Sequence, residues 1–551
     1  MWNYWSTREL QEEIGDDNLD FLEATIPELA NSERSYNFID NRNQLAQIVE
    51  SLMDHNYFRN SLNLEKCIRR IPKENLTILC NEINYKKDIN NSLEIAKKIL
   101  SENSLYEIFI KIFDLDARFL SVDAIKKEPF FDNFSASSEL PKTITKPFKN
   151  LKNYQNKCFE DTSKLLEPNM ARAILQMPTG SGKTRTASEI ISEHLNGQGA
   201  RQVVWLANTR ELCEQAIQCM KEVWDHLGKR TCRYNRLWDG NLSKVPQWAE
   251  NDCVFSVISL QGAWSFLRKD FNAFKESFQS STLIIVDEAH IAVAPTYADV
   301  IRSLVRASDA KVLGLTATPG RTIEEENTSL SELFFGGFAS LSDPDKNRNN
   351  SIAYLRSIGV MSQASHEEIK FLSSLEFSKA EQKNIENGED YSERILKNIG
   401  SDASRTIEII KELKKLLDSG HKIIMFAPSV RNSFLTSSIL TFLGYKSIHI
   451  SGATPPRTRD SLINKYINNE YQIICNYGVL ATGFDAPNVD VVCIARPTLS
   501  PVLYSQMLGR GLRGKAVGGT SLCKIIEVRD NFVGQPNQDH LYKKFEDYWS
   551  E

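Results

Sequence analysis

Apolar and polar residues follow two different patterns along the chain, and the change between them comes near residue 150. In residues 1 to about 145, apolar positions recur three and four apart, as at Leu64, Ile68 and Ile71 and through the segment SLEIAKKILSENSLYEIFIKIF. This spacing predicts amphipathic helices. A stretch that contains Pro and Ser, FDNFSASSELPKTITKP, predicts a linker ending near Pro147.

From about residue 150 onward, short runs rich in β-branched residues alternate with amphipathic segments. The runs are RQVVWLAN, CVFSVISL, STLIIVDEAH and AKVLGLTATP, and then HKIIMFAPS, YKSIHISG, YQIICNYGVL, VDVVCIARP and SLCKIIEVRD. Apolar strands separated by helices predict two parallel-sheet α/β domains in tandem, preceded by a mostly helical N-terminal domain. The predicted divisions are a helical accessory domain at 1–147, α/β domains at 148–345 and 346–540, and a tail at 541–551.

Composition agrees with a folded protein of several domains. The chain has 551 residues, of which 41% are hydrophobic and 25% charged. No apolar run approaches the roughly 18–20 residues that span a bilayer, and the first residues lack the pattern of a secretory signal. The ten cysteines form no C-x-x-C pair, so we expect buried, reduced thiols. A cytoplasmic protein without membrane contact is expected.

The net charge of −5 is unevenly distributed. Residues 1–30 hold eight carboxylates and one arginine and contribute −7, so the rest of the chain carries +2. Any nucleic-acid path must therefore be a local groove on a nearly neutral body. The acidic start is interpreted as a solvated helical face.

A segment rich in glycine carries the clearest chemical signal. It follows the apolar stretch Ala173–Leu175 and opens a helical segment, which is the strand–loop–helix context of a phosphate-binding loop. Lys183 would reach the β- and γ-phosphates, and Thr184 would hold Mg²⁺. Met177 stands where the strict pattern has glycine. The residues predicted to bind nucleotide are Pro178, Thr179, Gly180, Ser181, Gly182, Lys183 and Thr184.

Two adjacent acids, Asp287 and Glu288, follow the apolar run Thr282–Val286. A carboxylate at the carboxyl end of a parallel strand can face a bound nucleotide. Asp287 would complete the Mg²⁺ ligands, and Glu288 would orient and deprotonate the attacking water.

Further segments lie before and after these two motifs, and all of them occur in the order found in superfamily 2 helicases. Residues 150–535 therefore resemble that family. The further segments are Tyr154–Gln155, Asn208–Gln215, Ser259–Gln261, Thr316–Pro319, Phe426–Ser429, Leu480–Pro487 and Gln506–Arg513. The resemblance implies two RecA-like domains with ATP between them.

The resemblance also implies roles for the residues that match the nucleotide-binding motifs. Gln155 would contact adenine, and the second domain would add Gly483 and Asp485 to the nucleotide site. Gln506 would belong to the catalytic residues. Arg510 and Arg513 lie three apart near a predicted helix start, so they can share one helical face and point across the cleft as arginine fingers.

The remaining matches concern coupling and the nucleic acid. In the family, hydroxyls and a histidine link nucleotide state to domain closure, which here implies His290, Thr316 and Thr318. The implied contacts to nucleic acid are Thr209, Arg210, Ser259, Gln261 and Thr482.

Details of the motifs favour DNA over RNA as the track. Three motifs differ from those of the RNA remodellers of the DEAD-box type. They are Asp287–His290, Thr316–Thr318 and the last motif, which opens with Gln506. They are more similar to restriction-enzyme motor subunits and DNA repair translocases. Tyr477-Gly478 stands where many relatives have Thr-Asp, so the contact of this motif with the track stays open.

The predicted function is an ATP- and Mg²⁺-dependent helicase or translocase that acts on nucleic acid, with DNA favoured. Two alternatives remain: a nucleotide-gated nucleic-acid-binding subunit of a larger defence or restriction complex, and an RNA-directed ATPase. The N-terminal helical domain is predicted to be accessory, with docking of a protein partner as one possible role. Its aromatic residues Trp2, Tyr4 and Trp5 are expected to anchor the first helix in a core rather than to stack on bases.

Overall fold

The structure is a computed structural model of the chain. It describes the backbone and side chains of most residues, and the backbone alone at 131–135, 456 and 457. The described residues are 1–30, 38–53, 57–115, 119, 131–135, 148–199, 201–238, 253–292, 294–317, 333–335, 337–341, 351–373, 375–386, 389–481, 486 and 488–532.

The N-terminal region is helical, as predicted. Trp2 and Trp5 are each 1% exposed and their rings lie 5.2 Å apart, which confirms that they anchor the first helix in a core. Ser6 begins that helix with a capping box that includes Glu9. The helices of this region are α1 (Thr7–Ile14), α2 (Asp16–Leu29), α3 (Arg42–Leu52), α4 (Ser61–Ile68), α5 (Lys73–Glu82), α6 (Ser92–Ser101) and α7 (Asn103–Ile112).

The first α/β unit has an eight-stranded sheet among the described residues, in the order β1-β4-β5-β3-β6-β7-β2-β8. Its strands are β1 (Phe131–Ser135), β2 (Arg172–Gln176), β3 (Arg201–Ala207), β4 (Thr231–Leu237), β5 (Cys253–Ser259), β6 (Ser281–Val286), β7 (Lys311–Thr316) and β8 (Phe338–Ser340). Its helices are α8 (Asn153–Leu165), α9 (Lys183–Asn196), α10 (Arg210–Leu227), α11 (Leu260–Lys269), α12 (Phe271–Phe278) and α13 (Pro295–Ser308). The central strands are buried along nearly their whole length, because helices cover both faces of a parallel sheet.

The strand β1 differs from the sequence prediction. Residues 131–135 were expected in a linker, yet their backbone pairs antiparallel with β4 at the edge of the first sheet. This position is where an added strand costs least, because an edge strand needs one partner and leaves the parallel core unchanged. A short polar segment with no alternating pattern carries no signal for such pairing.

The second α/β unit has a six-stranded parallel sheet in the described part of the chain, in the order β11-β12-β10-β13-β14-β9. Its strands are β9 (Gln363–Ser373), β10 (Ile423–Phe426), β11 (Ser447–Ile450), β12 (Ile473–Asn476), β13 (Val491–Ile494) and β14 (Leu522–Phe532). Its helices are α14 (Ser351–Ser357), α15 (Lys379–Glu386), α16 (Glu393–Gly400), α17 (Ala403–Asp418), α18 (Val430–Phe442), α19 (Pro456–Ile467) and α20 (Pro501–Leu508). The predicted fold class is thus confirmed, while the domain boundaries at 147, 345 and 540 stay predictions.

The helical region packs on the second α/β unit, and the two share one continuous apolar core. Phe38 lies 6.5 Å from Phe442 between ring centres. The Lys414 ammonium donates to the Leu29 carbonyl at 2.6 Å, and the Ser438 hydroxyl donates to the Ser51 carbonyl at 3.1 Å. The N-terminal helices therefore form an extension of the unit that lies farther from them in sequence.

Cysteine burial follows the prediction. Nine of the ten cysteines are buried, Cys219 is half-buried, and all ten are free thiols. Within the part of the chain that the structure describes, no helix combines the length and apolar character needed to cross a membrane.

A buried ion pair ties α17 to β14 in the second unit. The Arg405 guanidinium bonds both carboxylate oxygens of Asp530 at 2.7 and 2.9 Å, and it also donates to the Ala495 carbonyl at 2.6 Å. The side chains of the pair are 1% and 0% exposed. Removing one partner would leave the other as a buried charge without a counterion.

We expect Asp530→Asn to lower the free energy of unfolding by about 3 kcal/mol, because Arg405 would keep its charge without a counterion. Denaturant unfolding followed by intrinsic fluorescence measures this loss. Asp299→Asn is the matched control, since Asp299 and Arg302 form an exposed pair whose removal costs under about 1 kcal/mol. Equal effects of the two substitutions would contradict the assignment of a buried, stabilising pair.

Candidate ATP site and nucleic-acid edge

The carboxyl ends of three neighbouring strands bring the predicted ATP motifs together. Strands β6, β7 and β2 are adjacent in the first sheet. The phosphate loop follows β2, the two acids follow β6, and Thr316 ends β7 opposite Gln176. In a parallel sheet these ends open onto one crevice, where ligands bind.

The phosphate loop spans residues 177–182 and leads into the 14-residue helix α9. Gly180 and Gly182 have φ values of +82° and +91°, a region that favours glycine. Met177, the departure from the strict pattern, is fully buried, and its N–H donates to the Thr316 carbonyl at 3.0 Å. The loop keeps its form because Met177 anchors its first residue in the core while glycines make the turns.

Two side chains of α8 brace the loop from behind. The Tyr154 hydroxyl and the Gln155 amide both donate to the Ser181 carbonyl, at 2.8 and 3.3 Å. The Gln155 amide oxygen accepts from the Lys152 N–H at 2.9 Å. A Cβ on Gly182 would lie 2.2 Å from the Gln155 amide nitrogen and displace that amide, while the φ of +91° at this position itself favours glycine. The residue predicted to contact adenine thus also supports the loop.

The acid pair lies opposite the loop lysine. The Lys183 ammonium is 3.4 Å from a carboxylate oxygen of Glu288. Glu288 has φ of +50°, and its N–H donates to the Asp287 carboxylate at 3.0 Å. This turn places the two carboxylates on a common edge of the crevice, within reach of the loop.

The two acids differ in charge environment. Burial raises the pKa of Asp287 to about 6, and the opposing attraction of Lys183 reduces this rise. For Glu288, desolvation is the largest single effect and acts to raise the pKa. The combined attraction of Lys183, His290 and Arg510 outweighs it and holds the pKa of Glu288 below its usual value. Glu288 is therefore ionised at neutral pH and able to accept a proton.

Two of the residues predicted to couple nucleotide state to domain closure form a chain behind Glu288. His290 Nδ1 lies 3.4 Å from the second carboxylate oxygen of Glu288 and 3.5 Å from the Thr316 hydroxyl. His290 and Thr316 are both buried. Thr318, predicted to act with them, lies outside the described residues, and its role stays a prediction.

The second unit meets the loop through its last motif. A Cβ on Gly509 would lie 2.3 Å from the methyl carbon of Thr179, so this approach needs glycine. A Cβ on Gly180 would lie 3.9 Å from the Cγ of Arg513. The two α/β units are thus in contact across the predicted ATP site.

Of the three predicted residues of this motif, Gln506 lies in the last turn of α20, which ends at Leu508. Arg510 and Arg513 follow the helix, so the prediction that they share one helical face near a helix start is wrong, because the chain turns at Gly509. Gln506 is buried, and its carbonyl accepts from Arg510 Nε at 3.2 Å. Burial lowers the pKa of both Arg510 and Arg513 to about 10, and the attraction of Glu288 partly offsets this for Arg510. The Ser362 hydroxyl donates to the Arg513 carbonyl at 2.7 Å and so holds its backbone. Both cations remain charged at neutral pH.

The predicted nucleic-acid contacts of the first unit share one edge of the sheet. Strands β3 and β5 are neighbours, and Ala207 at the end of β3 lies opposite Ser259 at the end of β5. Thr209, two residues after β3, and Ser259 therefore lie at the same edge of the sheet. Each hydroxyl caps a helix: Thr209 accepts from Leu212 N–H at 3.3 Å, and Ser259 accepts from Gly262 N–H at 3.1 Å. Gln261 is exposed and Arg210 begins α10. Thr482, Gly483 and Asp485 lie outside the described residues.

Sequence reasoning missed contacts that join the two units, one of which lies beside this edge. Arg459 of α19 bonds the carboxylate of Glu211, one residue beyond Arg210, and its side chain is 8% exposed. The Lys152 ammonium donates to the Ala516 carbonyl at 3.1 Å. The local sequence carries no signal for either pairing, because in each pair the partner comes from the other unit.

Two family models match this chain, and they cover the two α/β units. The model described as "Type III restriction enzyme, res subunit" matches residues 148–321, and the one described as "Helicase conserved C-terminal domain" matches residues 407–515. The chain belongs to the superfamily 2 helicases. It is accordingly an ATP-hydrolysing enzyme of the helicase type, and the predicted family is confirmed.

Several proteins are similar to this helicase over its motor region. A "51.5 kDa protein" of a Lactococcus phage is 27% identical over 68% of this chain and 70% of its own length. The "Putative ATP-dependent helicase IRC3" of Saccharomyces cerevisiae is 24% identical over 66% of this chain and 49% of its own length. The solved structure of "DUF1998 helicase MrfA bound to DNA" is 16% identical with a TM-score of 0.48, over 72% of this chain and 48% of that one. The match to the yeast protein thus spans about half of that protein.

Proposed function

We propose that this helicase couples ATP hydrolysis between its two α/β units to movement along DNA. The observation that carries the proposal is the double contact between the units. Gly509 and Arg513 approach the phosphate loop, while Arg459 bonds Glu211 beside the predicted nucleic-acid edge. One relative motion of the units therefore changes both places at once, which is what coupling requires.

The residues of the first unit fit a Mg²⁺–ATP substrate. Thr184 and Asp287 offer a hydroxyl and a carboxylate, the oxygen ligands that Mg²⁺ takes, and the buried Asp287 carboxylate gains from a nearby cation. When bound, Mg²⁺ would neutralise charge on the phosphates. Lys183 would turn from Glu288 to the phosphates, and the loss of its attraction would raise the pKa of Glu288 and make it a stronger base.

Arg510 and Arg513 would supply the positive charge that the transferring phosphoryl group needs. They come from the second unit, so hydrolysis proceeds when the units are closed and slows when they separate. Release of phosphate would remove the negative charge that attracts Arg510 and Arg513, so the cleft between the two units could open. His290 and Thr316 join Glu288 to the end of β7 and would pass this change to the sheet edge.

ATP hydrolysis measured with and without nucleic acid tests the proposal. We expect single- or double-stranded DNA to raise the steady-state rate several-fold, because a bound strand favours closure of the units. Lys183→Ala should abolish both rates, since the loop loses its phosphate contact. A matched RNA duplex identifies the track: stronger stimulation by RNA would favour an RNA-directed ATPase.

Absence of stimulation by every nucleic acid, together with an unchanged rate in Lys183→Ala, would contradict the proposal. Lys221→Ala serves as a control for loss of a lysine in the first unit, because Lys221 lies on α10 against Tyr234 and away from the loop.

A second candidate is a motor subunit of a larger restriction or antiviral defence complex, gated by nucleotide. The match of residues 148–321 to a restriction-enzyme subunit favours it, and the N-terminal helices would provide the docking surface. The molecular mass in solution, measured together with co-purification of partner proteins, distinguishes an independent motor from a subunit of a complex. A monomer that translocates alone would count against an obligate subunit.

A further inference from the structure

The backbone that carries Arg513 is held by a segment that comes much earlier in the chain. After α20, the chain runs alongside residues 359–362, where Met361 forms an antiparallel bridge with Arg513. The N–H groups of Ser362 and Gly514 donate across this bridge to backbone carbonyls, at 3.2 and 2.9 Å. The position of Arg513 is therefore set by pairing with a distant segment and not by a helix of its own.

The Ser362 hydroxyl adds a side-chain bond to this pairing. Ser362 is 0% exposed, and its hydroxyl oxygen lies 2.7 Å from the Arg513 carbonyl oxygen and 2.8 Å from the Thr520 carbonyl oxygen. The hydroxyl has one proton to donate, so it can bond either carbonyl. The Thr520 N–H also donates to the Arg513 carbonyl, at 2.9 Å. Ser362 thus lies where residues 513–520 close into a loop.

The backbone around Arg513 leaves little room for a shift. A Cβ on Gly519 would lie 1.9 Å from the Arg513 carbonyl oxygen, and a Cβ on Gly514 would lie 2.1 Å from the Gly359 carbonyl oxygen. Both neighbours are backbone atoms, which cannot rotate away as the end of a flexible side chain can. The close packing therefore fixes the direction in which the Arg513 side chain leaves the backbone.

This direction leads past the phosphate loop. The Cγ of Arg513 lies 3.9 Å from the position of a Cβ on Gly180. The guanidinium is charged at neutral pH, because burial lowers the pKa of Arg513 only to about 10. A charge stabilises a transferring phosphoryl group only at the correct distance, and a displacement of about 1 Å can cost about 10²-fold in rate. A small shift of the backbone at Arg513 would therefore slow hydrolysis.

The segment that holds Arg513 also connects the two α/β units. In the sequence, α14 and residues 358–362 lie between β8 of the first sheet and β9 of the second. Tyr354 of α14 belongs to the same apolar core as Tyr154 of α8, the helix that braces the phosphate loop. Beside that helix, the Lys152 ammonium donates to the carbonyl of Ala516, in the loop that Ser362 closes. The surroundings of Arg513 thus contact both units.

We propose that Ser362 is a positioning residue for ATP hydrolysis, because its hydroxyl fixes the backbone from which Arg513 reaches the phosphate loop. Ser362 acts through Arg513 and not by contact with the nucleotide. The inference rests on the proposed role of Arg513 as an arginine finger. Since the same segment joins the two units, the connection between them places the arginine for reaction.

Steady-state hydrolysis and ATP binding by the full chain test the proposal. Ser362→Ala removes one buried hydroxyl, and we expect kcat at saturating ATP and DNA to fall about fivefold to tenfold, the effect of one lost hydrogen bond. The equilibrium affinity for a fluorescent ATP analogue should change less than about twofold, because the predicted phosphate loop belongs to the other unit. This split between turnover and binding is what a positioning role requires.

Ser438→Ala is the matched control. Ser438 is another buried serine of the second unit, and its hydroxyl also donates to a distant backbone carbonyl, that of Ser51. Both substitutions should lower the melting temperature slightly, but Ser438→Ala should leave kcat unchanged. A kcat of Ser362→Ala within about twofold of wild type would overturn the proposal, as would equal losses of ATP affinity and turnover.

A double-mutant cycle with Arg513→Ala shows whether the effect of Ser362 passes through the arginine. In the Arg513→Ala background no guanidinium remains to be positioned, so Ser362→Ala should reduce the rate by less than about twofold. Single-turnover hydrolysis with the enzyme in excess makes the low rates of this background measurable. The same reduction in both backgrounds would show that Ser362 supports the fold in general, and the proposal would then be wrong.

Failure of the proposed role of Arg513 gives a different result. If Arg513→Ala leaves kcat unchanged, Arg513 is not an arginine finger, and the role of Ser362 falls with it. If Arg513→Ala lowers kcat and Ser362→Ala does not, the inference about Ser362 alone is overturned.

Discussion

Arg510→Ala is expected to lower the kcat of ATP hydrolysis by about 10³-fold while the affinity for ATP changes little, which is the lower end of the range of about 10³–10⁵ for arginine fingers. Burial lowers the pKa of Arg510 to about 10, so the charge is desolvated yet present at neutral pH. Charge in a poorly hydrated cleft stabilises a developing negative charge far more than it would in water. ATP itself would be held by the predicted phosphate loop of the other unit.

The measurements are steady-state kcat and equilibrium binding of a fluorescent ATP analogue. Arg302→Ala, at an exposed arginine paired with Asp299, is the matched control and should leave both unchanged. Arg510→Lys keeps the charge but loses the planar guanidinium, so an intermediate rate is expected. Equal losses of binding and turnover in Arg510→Ala would show that the arginine is structural.

Glu288→Gln is expected to slow hydrolysis by about 10²–10⁴-fold, the usual contribution of a general base. Glutamine keeps the size of the side chain and one acceptor oxygen, but it replaces the other oxygen by a donor and has no charge to accept the proton. ATP should still bind, because Lys183 and the loop backbone are intact. The variant should therefore accumulate in the closed, ATP-bound form and hold DNA more tightly in the presence of ATP than wild type does.

Single-turnover hydrolysis and DNA affinity with and without ATP measure these effects. Glu193→Gln is the control, since Glu193 is an exposed acid on α9, the helix that begins at Lys183. A rate within a few-fold of wild type would assign the base to another group. A parallel loss of ATP binding would indicate that Glu288 mainly positions Lys183, with which it pairs.

Local sequence was enough to predict much of the first unit. The signals for this unit all depend on residues close in sequence. They are the spacing of the glycines, the apolar runs before the loop and before the acids, and the helical segment after Lys183. The structure places these elements as expected, with Lys183, Asp287 and Glu288 on one edge. The deviation at Met177 is explained by burial, which a single sequence does not reveal.

Contacts between distant segments required the tertiary structure. The pairing of Arg459 with Glu211, the fit of Gly509 against Thr179, and the bracing of the loop by Gln155 depend on how finished elements dock. So does the packing of the N-terminal helices on the second unit, although those helices precede the first unit in the chain.

The amino-acid sequence by itself determined the helicase family and the order of its elements, because strand, loop and helix signals arise from neighbouring residues. It also predicted which residues form the ATP site, and the structure brings Lys183, Asp287 and Glu288 together. Tertiary structure alone decided which unit the N-terminal helices join, which residues link the two units, and that Ser362 lies against the backbone of Arg513. These depend on the complementary shapes and charges of surfaces formed by folding, and no short-range pattern in the chain encodes them.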